Sequence, residues 1–576
     1  MAARAVICAL VLAAPAAASS ALGGRTGSMR GGLSAQTLDR ELTSAMNEVL
    51  GCGGQVDEQK LQRIERELEP MWRTLQKNAA GNIDRRSLRY LVHRRFNRRS
   101  SLHIRGFEPT RATNASGWGS ADILSQRVPA FVESVLESQH KAETGFRLRD
   151  AVQMVAALEQ MIFDSEGALL QTSYKNAGQS PRRSLDENTL SKVLETYMVR
   201  WMLGDDQESA SYLLRNRSLI ESTLPHWDEV AAYARGQVIS LQHKRRVAPG
   251  ATSADGLARP GHNAMSPRYS FEDAHAMVGE ITKSFASFWE SQCDSMKLQL
   301  VEMDTHQTGR VPLAKFYGTG LDADWRFGES EEYLRELGAL DETSWRGKQV
   351  IIPNYIQAAS NCIVSGQHYL VCCANDCETL LDDIERAVAA PTARPETIID
   401  IVANMSSHIN VDDDRAPKID SSLRTQLAQI AEAHGGEVPI HGRLFGQWLH
   451  YVFPRECPFP HKTGVTVSST PTQYGEGYIA SAEEMKKYAS EANNSALPTG
   501  VDREELEWMS QWSPEEELIT DHLAHGLRAP WERSGLAAGA ALFVAFVALS
   551  AFGLSSGRKL SSGGGLLPTH QKAHYV

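Results

Sequence analysis

Apolar side chains recur at three- and four-residue spacing through most of the chain, which places them on one face of an α-helix. The segments that carry this pattern most clearly are 58–76, 88–96, 148–161, 190–203, 271–303, 378–388 and 423–434. Runs typical of β-strands are few and short, and the clearest covers residues 350–352. The pattern therefore predicts a mainly α-helical, multi-helix fold with few short strands.

The two ends of the chain carry longer apolar runs beside basic residues. Residues 1–21 combine Arg4, an apolar run and a small-residue cleavage site, which predicts a secretory signal peptide. Residues 535–554 contain no charge and are long enough, as a transmembrane helix, to cross a bilayer core of about 30 Å. Basic residues follow, so the positive-inside rule places residues 555–576 in the cytosol. We predict a single-pass type I membrane protein of the cell surface or endomembrane system; a lipid anchor is the alternative.

Composition divides the predicted ectodomain into several parts. Residues 245–268 are rich in Pro, Gly, Ala and Ser, which is typical of a linker. The predicted parts are an N-terminal helical domain at 37–244, the linker at 245–268, an EF-hand-like pair at 269–360, a Cys/His-rich helical region at 361–465 and an acidic juxtamembrane segment at 466–533.

Charge narrows the classes of expected partner. The chain has 70 acidic and 59 basic side chains, for a net charge of −11. Four of the basic residues lie in the predicted signal peptide and tail, which leaves the predicted ectodomain at −15. An acidic ectodomain on the far side of a membrane excludes nucleic acid as an expected partner. Translocation would also expose four glycosylation sequons, at Asn114, Asn216, Asn404 and Asn493.

One segment departs from this acidic balance. Residues 85–105 hold eight arginines and no acid, together with an apolar stripe, and predict a basic amphipathic helix. Such a helix can bind an anionic glycan, a protein partner or a membrane surface. The residues chosen as the candidate anion-binding surface are Arg94, Arg95, Arg98 and Arg99. The alternatives are a solvated helix face, or a basic face that complements the acidic residues at 502–521.

A loop after the longest predicted helix resembles the calcium-binding loop of an EF-hand. It has the sequence DTHQTGRVPLAK, with Asp304 at the first ligand position and Gly309 at the sixth, where the turn needs a positive φ. His306 and Thr308 replace carboxylates, and Lys315 stands where a bidentate glutamate normally closes the site. The loop therefore predicts weak calcium binding at most, by Asp304, His306 and Thr308.

EF-hands normally occur in pairs, so this loop should have a neighbour. We expect residues 310–313 and 349–352 to form a short antiparallel bridge between two such loops. A weaker third candidate lies around Asn78, Gly81 and Ile83. A helix–turn–helix without metal explains the same residues and is the alternative.

Cysteines on the translocated side predict disulfide bonds, because that compartment is oxidising. The seven that follow the predicted signal peptide are Cys52, Cys293, Cys362, Cys372, Cys373, Cys377 and Cys457. Three disulfides with one cysteine left over fit this number. Cys372 and Cys373 should serve separate bridges, because a disulfide needs Cα atoms about 5.5 Å apart without a strained peptide. A thiolate metal site or redox pair is the alternative, although the spacing matches neither pattern.

The most aromatic segment of the chain, HGRLFGQWLHYVFPRECPFPH, contains His441, His450 and His461. These histidines, with Cys457 nearby, are candidates for metal ligands or a general base. The alternative function is therefore a metal- or thiol-dependent hydrolase or oxidase that uses His441, His450 and Cys457. An aromatic face packed in a core explains the same residues, and no known catalytic motif occurs in the sequence. No catalytic residue is assigned.

Three blocks of sequence carry a family resemblance: WRTLQKN…LRYLVHRRF, LGALDE…IIPNYIQAASNC…CCANDCE and HGRLFGQWLHYVFPRECPFP. They resemble an uncharacterised family of secreted or type I membrane proteins of dinoflagellates and other unicellular algae. The resemblance implies one integrated ectodomain and carries over no activity. The sequence thus predicts a non-enzymatic single-pass membrane glycoprotein that binds a protein partner or anionic glycan, with weak calcium binding.

Overall fold

The computed structural model describes residues 58–104, 145–204, 207–224, 226–247, 268–321, 326–342, 344, 347–365, 369–405, 417, 419–461, 466 and 469–492. The predicted signal peptide, membrane span and tail lie outside this part of the chain, as do most of the predicted linker, residues 502–521, Cys52, Asn114 and Asn493. All described residues belong to one unit of the chain. None of the helices described here has both the length and the apolar composition needed to cross a bilayer.

Long amphipathic helices form the first half of the described chain, as the periodicity predicts. They are α1 (Glu58–Thr74), α2 (Arg85–Ser100), α3 (Leu148–Asn176), α4 (Glu187–Leu203), α5 (Gln207–Arg215), α6 (Ile220–Thr223), α7 (Trp227–Val247) and α8 (Phe271–Met303). Side chains fix where several of them begin: the Asp84 carboxylate accepts the Ser87 N–H at 2.7 Å, and Asp186 and Ser270 cap α4 and α8 in the same way.

Shorter helices form the second half. They are α9 (Leu313–Gly320), α10 (Glu331–Glu336), α11 (Ile352–Ile356), α12 (Cys377–Val388), α13 (Pro395–Ala403), α14 (Ser421–Ala433), α15 (Arg443–Val452), α16 (Pro471–Tyr474) and α17 (Ala482–Ala492). Proline lies in the first turn of α11, α13 and α16, where its missing N–H has no helical partner to lose. Together with the helices of the first half, these helices make the fold mainly α-helical.

Short antiparallel strands connect these helices. They are β1 (Leu102–Ile104), β2 (Arg310–Pro312), β3 (Leu340–Asp341), β4 (Gln349–Ile351), β5 (Val364–Ser365), β6 (Tyr369–Val371), β7 (Thr392–Ala393) and β8 (Val438–Pro439). The sheets have the orders β1-β6-β5, β2-β4-β3 and β7-β8. Val311 lies opposite Val350 in the β2–β4 pair, which confirms the predicted pairing of these two segments.

Three isolated β-bridges have the same local structure around them as the β2–β4 pair. They join Ile83 to Phe146, Leu185 to Tyr269 and Glu329 to Ile479. A positive φ precedes several bridge residues by two positions, at Gly81, Gly309, Phe327 and Gly477. The positive φ predicted for Gly309 is thereby confirmed, at +70°. A helix, a tight loop, an antiparallel bridge and a second helix thus recur along the chain.

Helix α8 joins two hydrophobic cores. Its first half, including Met277 and Phe285, packs with α1 to α4 and α7. Its second half, including Met296 and Leu300, packs with β2, β4 and α9. A further core lies among α12 to α15. This 33-residue helix follows the predicted linker at 245–268 and packs both with helices that precede the linker and with later elements.

Three disulfides tie the elements together. They join Cys293 to Cys373, Cys362 to Cys372 and Cys377 to Cys457. The adjacent cysteines therefore serve separate bridges, as predicted. The first bridge ties α8 to the chain after β6, and the third ties α12 to the turn after α15. Because these six sulfur atoms are bonded in pairs, the structure contradicts a thiolate metal site built from them.

Candidate functional site

Protein groups occupy the predicted calcium loop. Asp304 follows the last residue of α8, and its side chain is 0% exposed. Its carboxylate accepts the backbone N–H groups of Thr308 at 3.0 Å and Gly309 at 2.9 Å. The guanidinium of Arg455 also donates to it, from Nε at 3.1 Å. A protein cation thus lies against the carboxylate that was the first predicted calcium ligand.

The rest of the loop also contacts protein. A Cβ at Gly309 would lie 1.8 Å from the Pro454 carbonyl oxygen, so only glycine fits beneath this turn. His306 is exposed, and Lys315 Nζ donates to the Met303 carbonyl at 3.3 Å. Within the described ranges, no three His, Cys, Asp or Glu side chains are grouped to hold a metal ion. Calcium binding at the loop stays a prediction, and Arg455 lies against its first ligand.

The histidines of the aromatic segment have separate surroundings. Arg310 Nη1 donates to His450 Nε2 at 3.1 Å, so the ring proton is on Nδ1, which donates to the Cys457 carbonyl at 2.7 Å. Burial, together with the Arg310 charge, lowers the pKa of His450 to about 3. His461 Nε2 donates to the Gly338 carbonyl at 2.7 Å. Both rings are held by backbone carbonyls.

His441 lies in a different buried cluster. Its Nε2 is 2.8 Å from Thr74 Oγ1, and its Nδ1 is 3.1 Å from the Tyr90 hydroxyl. Burial, and secondarily the charge of Arg94, lower the pKa of His441 well below its ordinary value. The sulfur of Cys457 is in a disulfide. Of the residues in the alternative enzymatic hypothesis, His450 thus contacts the backbone of Cys457, whose sulfur is in a disulfide, and His441 lies in a separate cluster.

Two of the four candidate anion-binding arginines are buried and paired within the chain. Arg94 contacts Glu378 at 2.7 Å and also pairs with Glu385, both on α12. Arg95 contacts Glu159 of α3 at 2.6 Å and a second carboxylate on α1. A guanidinium that is buried between two carboxylates has already lost its water and satisfied its charge. Arg94 and Arg95 therefore hold helices together.

The other two arginines are more exposed. Arg98 forms two hydrogen bonds with Asp382, at 2.5 and 2.6 Å. The side chain of Arg99 is 50% exposed and contacts Glu67 at 2.8 Å. The described acids that complement this helix thus lie on α1, α3 and α12. The acidic residues at 502–521, the predicted complement, lie outside the described residues.

A cleft of about 560 Å³ lies where α1, α2, α3 and α8 meet. This volume is within the range of roughly 300–1,000 Å³ that is typical of small-molecule sites. The cationic side chains that line it are Lys60, Arg63, Arg95, Arg99 and Lys283. A smaller cavity of about 210 Å³, beside Cys293 and Cys362, has no charged residue in its lining. The larger cleft is therefore the candidate site for a charged ligand.

The charges in the cleft are only partly compensated. Glu159 contacts Lys60 at 3.3 Å and Arg95 at 2.6 Å. Burial would raise the pKa of Glu159, but Arg95 and Lys60 outweigh burial and lower it. Arg63 is exposed, and no ion-pair partner for it occurs among the residues that the structure describes. The cleft thus keeps at least one cation, Arg63, that none of the described residues neutralises.

Glu166 lines the cleft from its buried side and is 4% exposed. Its Oε1 accepts hydrogen bonds from the Thr282 hydroxyl and, at 3.0 Å, from the Tyr369 hydroxyl. Trp201 Nε1 in turn donates to the Tyr369 hydroxyl at 2.9 Å. Burial raises the pKa of Glu166 to about 7. This carboxyl therefore changes its charge near neutral pH.

Sequence reasoning missed Arg455, Arg63 and Glu166. Only Glu166 carries a local signal, because it interrupts the four-residue apolar spacing of Ile162 and Leu170 on α3. An acid within an apolar helix stripe indicates a buried carboxyl. Asp304, the partner of Arg455, lies 151 residues away along the chain, so no local pattern predicts their contact.

Two predicted glycosylation sites are at the described surface. Asn216 lies just after α5 and Asn404 just after α13, and both are exposed. Their side-chain amides donate to the backbone carbonyls of Tyr212 and Asp400. Glycosylation at these positions stays a prediction.

Comparisons with protein-family models, with curated proteins and with solved structures give no match for this chain. The resemblance to the algal family stays a prediction. The contacts and charges described above are consequently the basis on which a function is proposed.

Proposed function

We propose that this chain is a non-enzymatic single-pass membrane glycoprotein whose disulfide-bonded helical ectodomain binds an anionic partner or glycan. The binding site is the cleft between α1, α2, α3 and α8. The observation that carries the proposal is the position of Arg63 and Arg99, which line this cleft and remain exposed. In an ectodomain of charge −15, exposed guanidinium groups at a cleft offer a local site for carboxylate, sulfate or phosphate groups.

The disulfides support the proposed compartment. Three disulfides within 165 positions of one chain are typical of proteins exposed to an oxidising lumen or to the cell exterior. The predicted signal peptide and membrane span would deliver the domain there and hold it at the membrane.

We also propose that the recurring helix–loop–bridge–helix units are degenerate EF-hand-like pairs that act as scaffold. Support comes from the positive φ at Gly309 and from the Val311–Val350 pairing. In such a scaffold Arg455 takes the role of the loop cation, and the Asp304 loop is held in place without calcium. Ligand binding would then depend on the cleft and not on a metal.

Heparin-affinity chromatography of the full chain in detergent tests the proposed site. The variant R63Q/R99Q removes the two exposed cleft arginines, whereas Arg94 and Arg95 are left intact because they hold helices together. We expect the wild type to be retained at low salt, and the variant to elute at lower salt because it lacks two cations at the site.

The matched control is R182Q/R424Q, which removes the same charge from exposed positions outside the cleft. It should elute with the wild type. Equal shifts for both double variants would attribute retention to net charge alone and refute a site at the cleft. A wild type that is not retained would refute anion binding itself.

A further inference from the structure

The shape of the cleft constrains its ligand, provided that the proposed function holds. Glu159 and Glu166 both line it from α3, seven residues apart. At 1.5 Å per residue this separation is about 10 Å along the helix. Glu159 marks the end where Lys60 and Arg95 meet, and Glu166 marks an end with a buried carboxyl. A ligand that contacts both ends is elongated and chemically different at its two ends.

The buried end offers a hydrogen-bond acceptor. Thr282 and Tyr369 both donate to Oε1 of Glu166, and Oε2 has no hydrogen-bond partner among the described residues. A ligand hydroxyl can donate to this oxygen when the carboxyl is ionised, or accept from it when the carboxyl is protonated. An aliphatic chain at the same place would cover a polar atom without satisfying it, at a cost of roughly 1–3 kcal/mol.

An aromatic ring forms part of the wall between the two ends. Phe163 lines the cleft and is 36% exposed. Its ring stacks on His275, with centroids 3.7 Å apart and an interplanar angle of 15°. A Cβ at Gly279 would be 3.5 Å from the same ring. Phe163 therefore presents a fixed apolar surface on which the C–H face of a sugar ring can lie.

From this juxtaposition we infer that the cleft takes an anionic saccharide. Its acidic group lies at Arg63 and Arg99, the C–H face of a sugar ring lies against Phe163, and a hydroxyl forms a hydrogen bond with Glu166. Carboxylate, sulfate and phosphate groups share the chemistry that guanidinium groups recognise. A fatty acid would match the arginines and the aromatic ring but not the buried carboxyl.

Isothermal titration calorimetry on the full chain in detergent tests the inference with a heparin-derived tetrasaccharide, maltotetraose and decanoate. We expect the tetrasaccharide to bind at least tenfold more tightly than either of the others. The variant E166L, which continues the apolar stripe of α3, should weaken tetrasaccharide binding about tenfold and leave decanoate binding unchanged or tighter. The variant F163A should also weaken tetrasaccharide binding, and it serves if E166L does not fold.

The aromatic control is Y212A, which removes an exposed ring on α5, outside the cleft. It should bind like the wild type. Decanoate binding as tight as tetrasaccharide binding, or tetrasaccharide binding that F163A leaves unchanged, would overturn the saccharide while leaving anion binding intact. No binding of either anion by the wild type would overturn the proposed function itself.

Discussion

Replacing Glu166 by glutamine should change how stability depends on pH. The substitution keeps the size of the side chain and an oxygen that can accept from Thr282 and Tyr369, but it removes the titrating proton. Burial raises the pKa of the folded-state carboxyl from 4.5 to about 7. The difference between wild type and E166Q therefore isolates this one group from the other titrating side chains.

The sign and size follow from proton linkage. Below pH 4.5 the Glu166 carboxyl is protonated in both folded and unfolded chains, and the wild type has its full stability from this group. Between pH 4.5 and about 7 the folded chain holds the proton more tightly, so the free energy of unfolding falls as pH rises. Above pH 7 the loss levels off. At roughly 1.4 kcal/mol per pKa unit, the loss is about 3 kcal/mol.

Urea unfolding of wild type and E166Q at several pH values between 4 and 8.5 measures this loss. We expect the variant to gain about 3 kcal/mol relative to the wild type across that window. The control E221Q removes an exposed carboxyl on α6 and should run parallel to the wild type. Parallel curves for wild type and E166Q would refute a buried, titrating carboxyl at this position.

Other contacts lead to further predictions. The variant R455A should lower the free energy of unfolding by roughly 3 kcal/mol, because the Asp304 carboxylate stays buried without its cation; an unchanged urea midpoint would contradict this. Several millimolar calcium should leave the melting temperature of the wild type unchanged in differential scanning fluorimetry, since Arg455 already contacts the first ligand; a rise in melting temperature would reinstate calcium at this loop. The variant C377S/C457S should lose about 4 kcal/mol in urea unfolding, because it opens a closed loop spanning 80 positions, and a loss under 1 kcal/mol would show that this bridge is not a structural tie.

Local periodicity predicts the helices well where apolar spacing is regular. The prediction for 271–303 coincides with α8 at both ends. By contrast, α3 continues well past the predicted end at residue 161 and includes Gly167, a poor helix former. A Cβ at Gly167 would lie 2.8 Å from the ring of His275, so close packing against α8 explains the glycine. Packing between distant helices therefore overrides local propensity here.

The candidate sites also differ in whether they depend on local sequence or on contacts between distant parts of the chain. The turn at Gly309 depends on residues within its own loop, and the β2–β4 pairing joins two short segments that each follow a polar loop, so sequence predicts both. The surroundings of the arginines cannot be predicted in this way, because Arg94 and Arg98 pair with acids 284 positions away in the sequence. An arginine-rich helix looks the same in sequence whether its charges face water or carboxylates from another part of the fold. The cleft likewise combines residues from four helices, which no single stretch of sequence reveals.

Helix α8 connects the cleft to the Asp304 loop. Thr282 and Lys283 of α8 line the cleft, and Asp304 follows the last residue of the helix. Between them, Cys293 of α8 forms a disulfide with Cys373. From Thr282 to Asp304 the helix spans about 33 Å at 1.5 Å per residue. Because α8 is packed in one core near the cleft and in another near Asp304, a ligand at the cleft would contact the same helix that leads directly into the Asp304 loop.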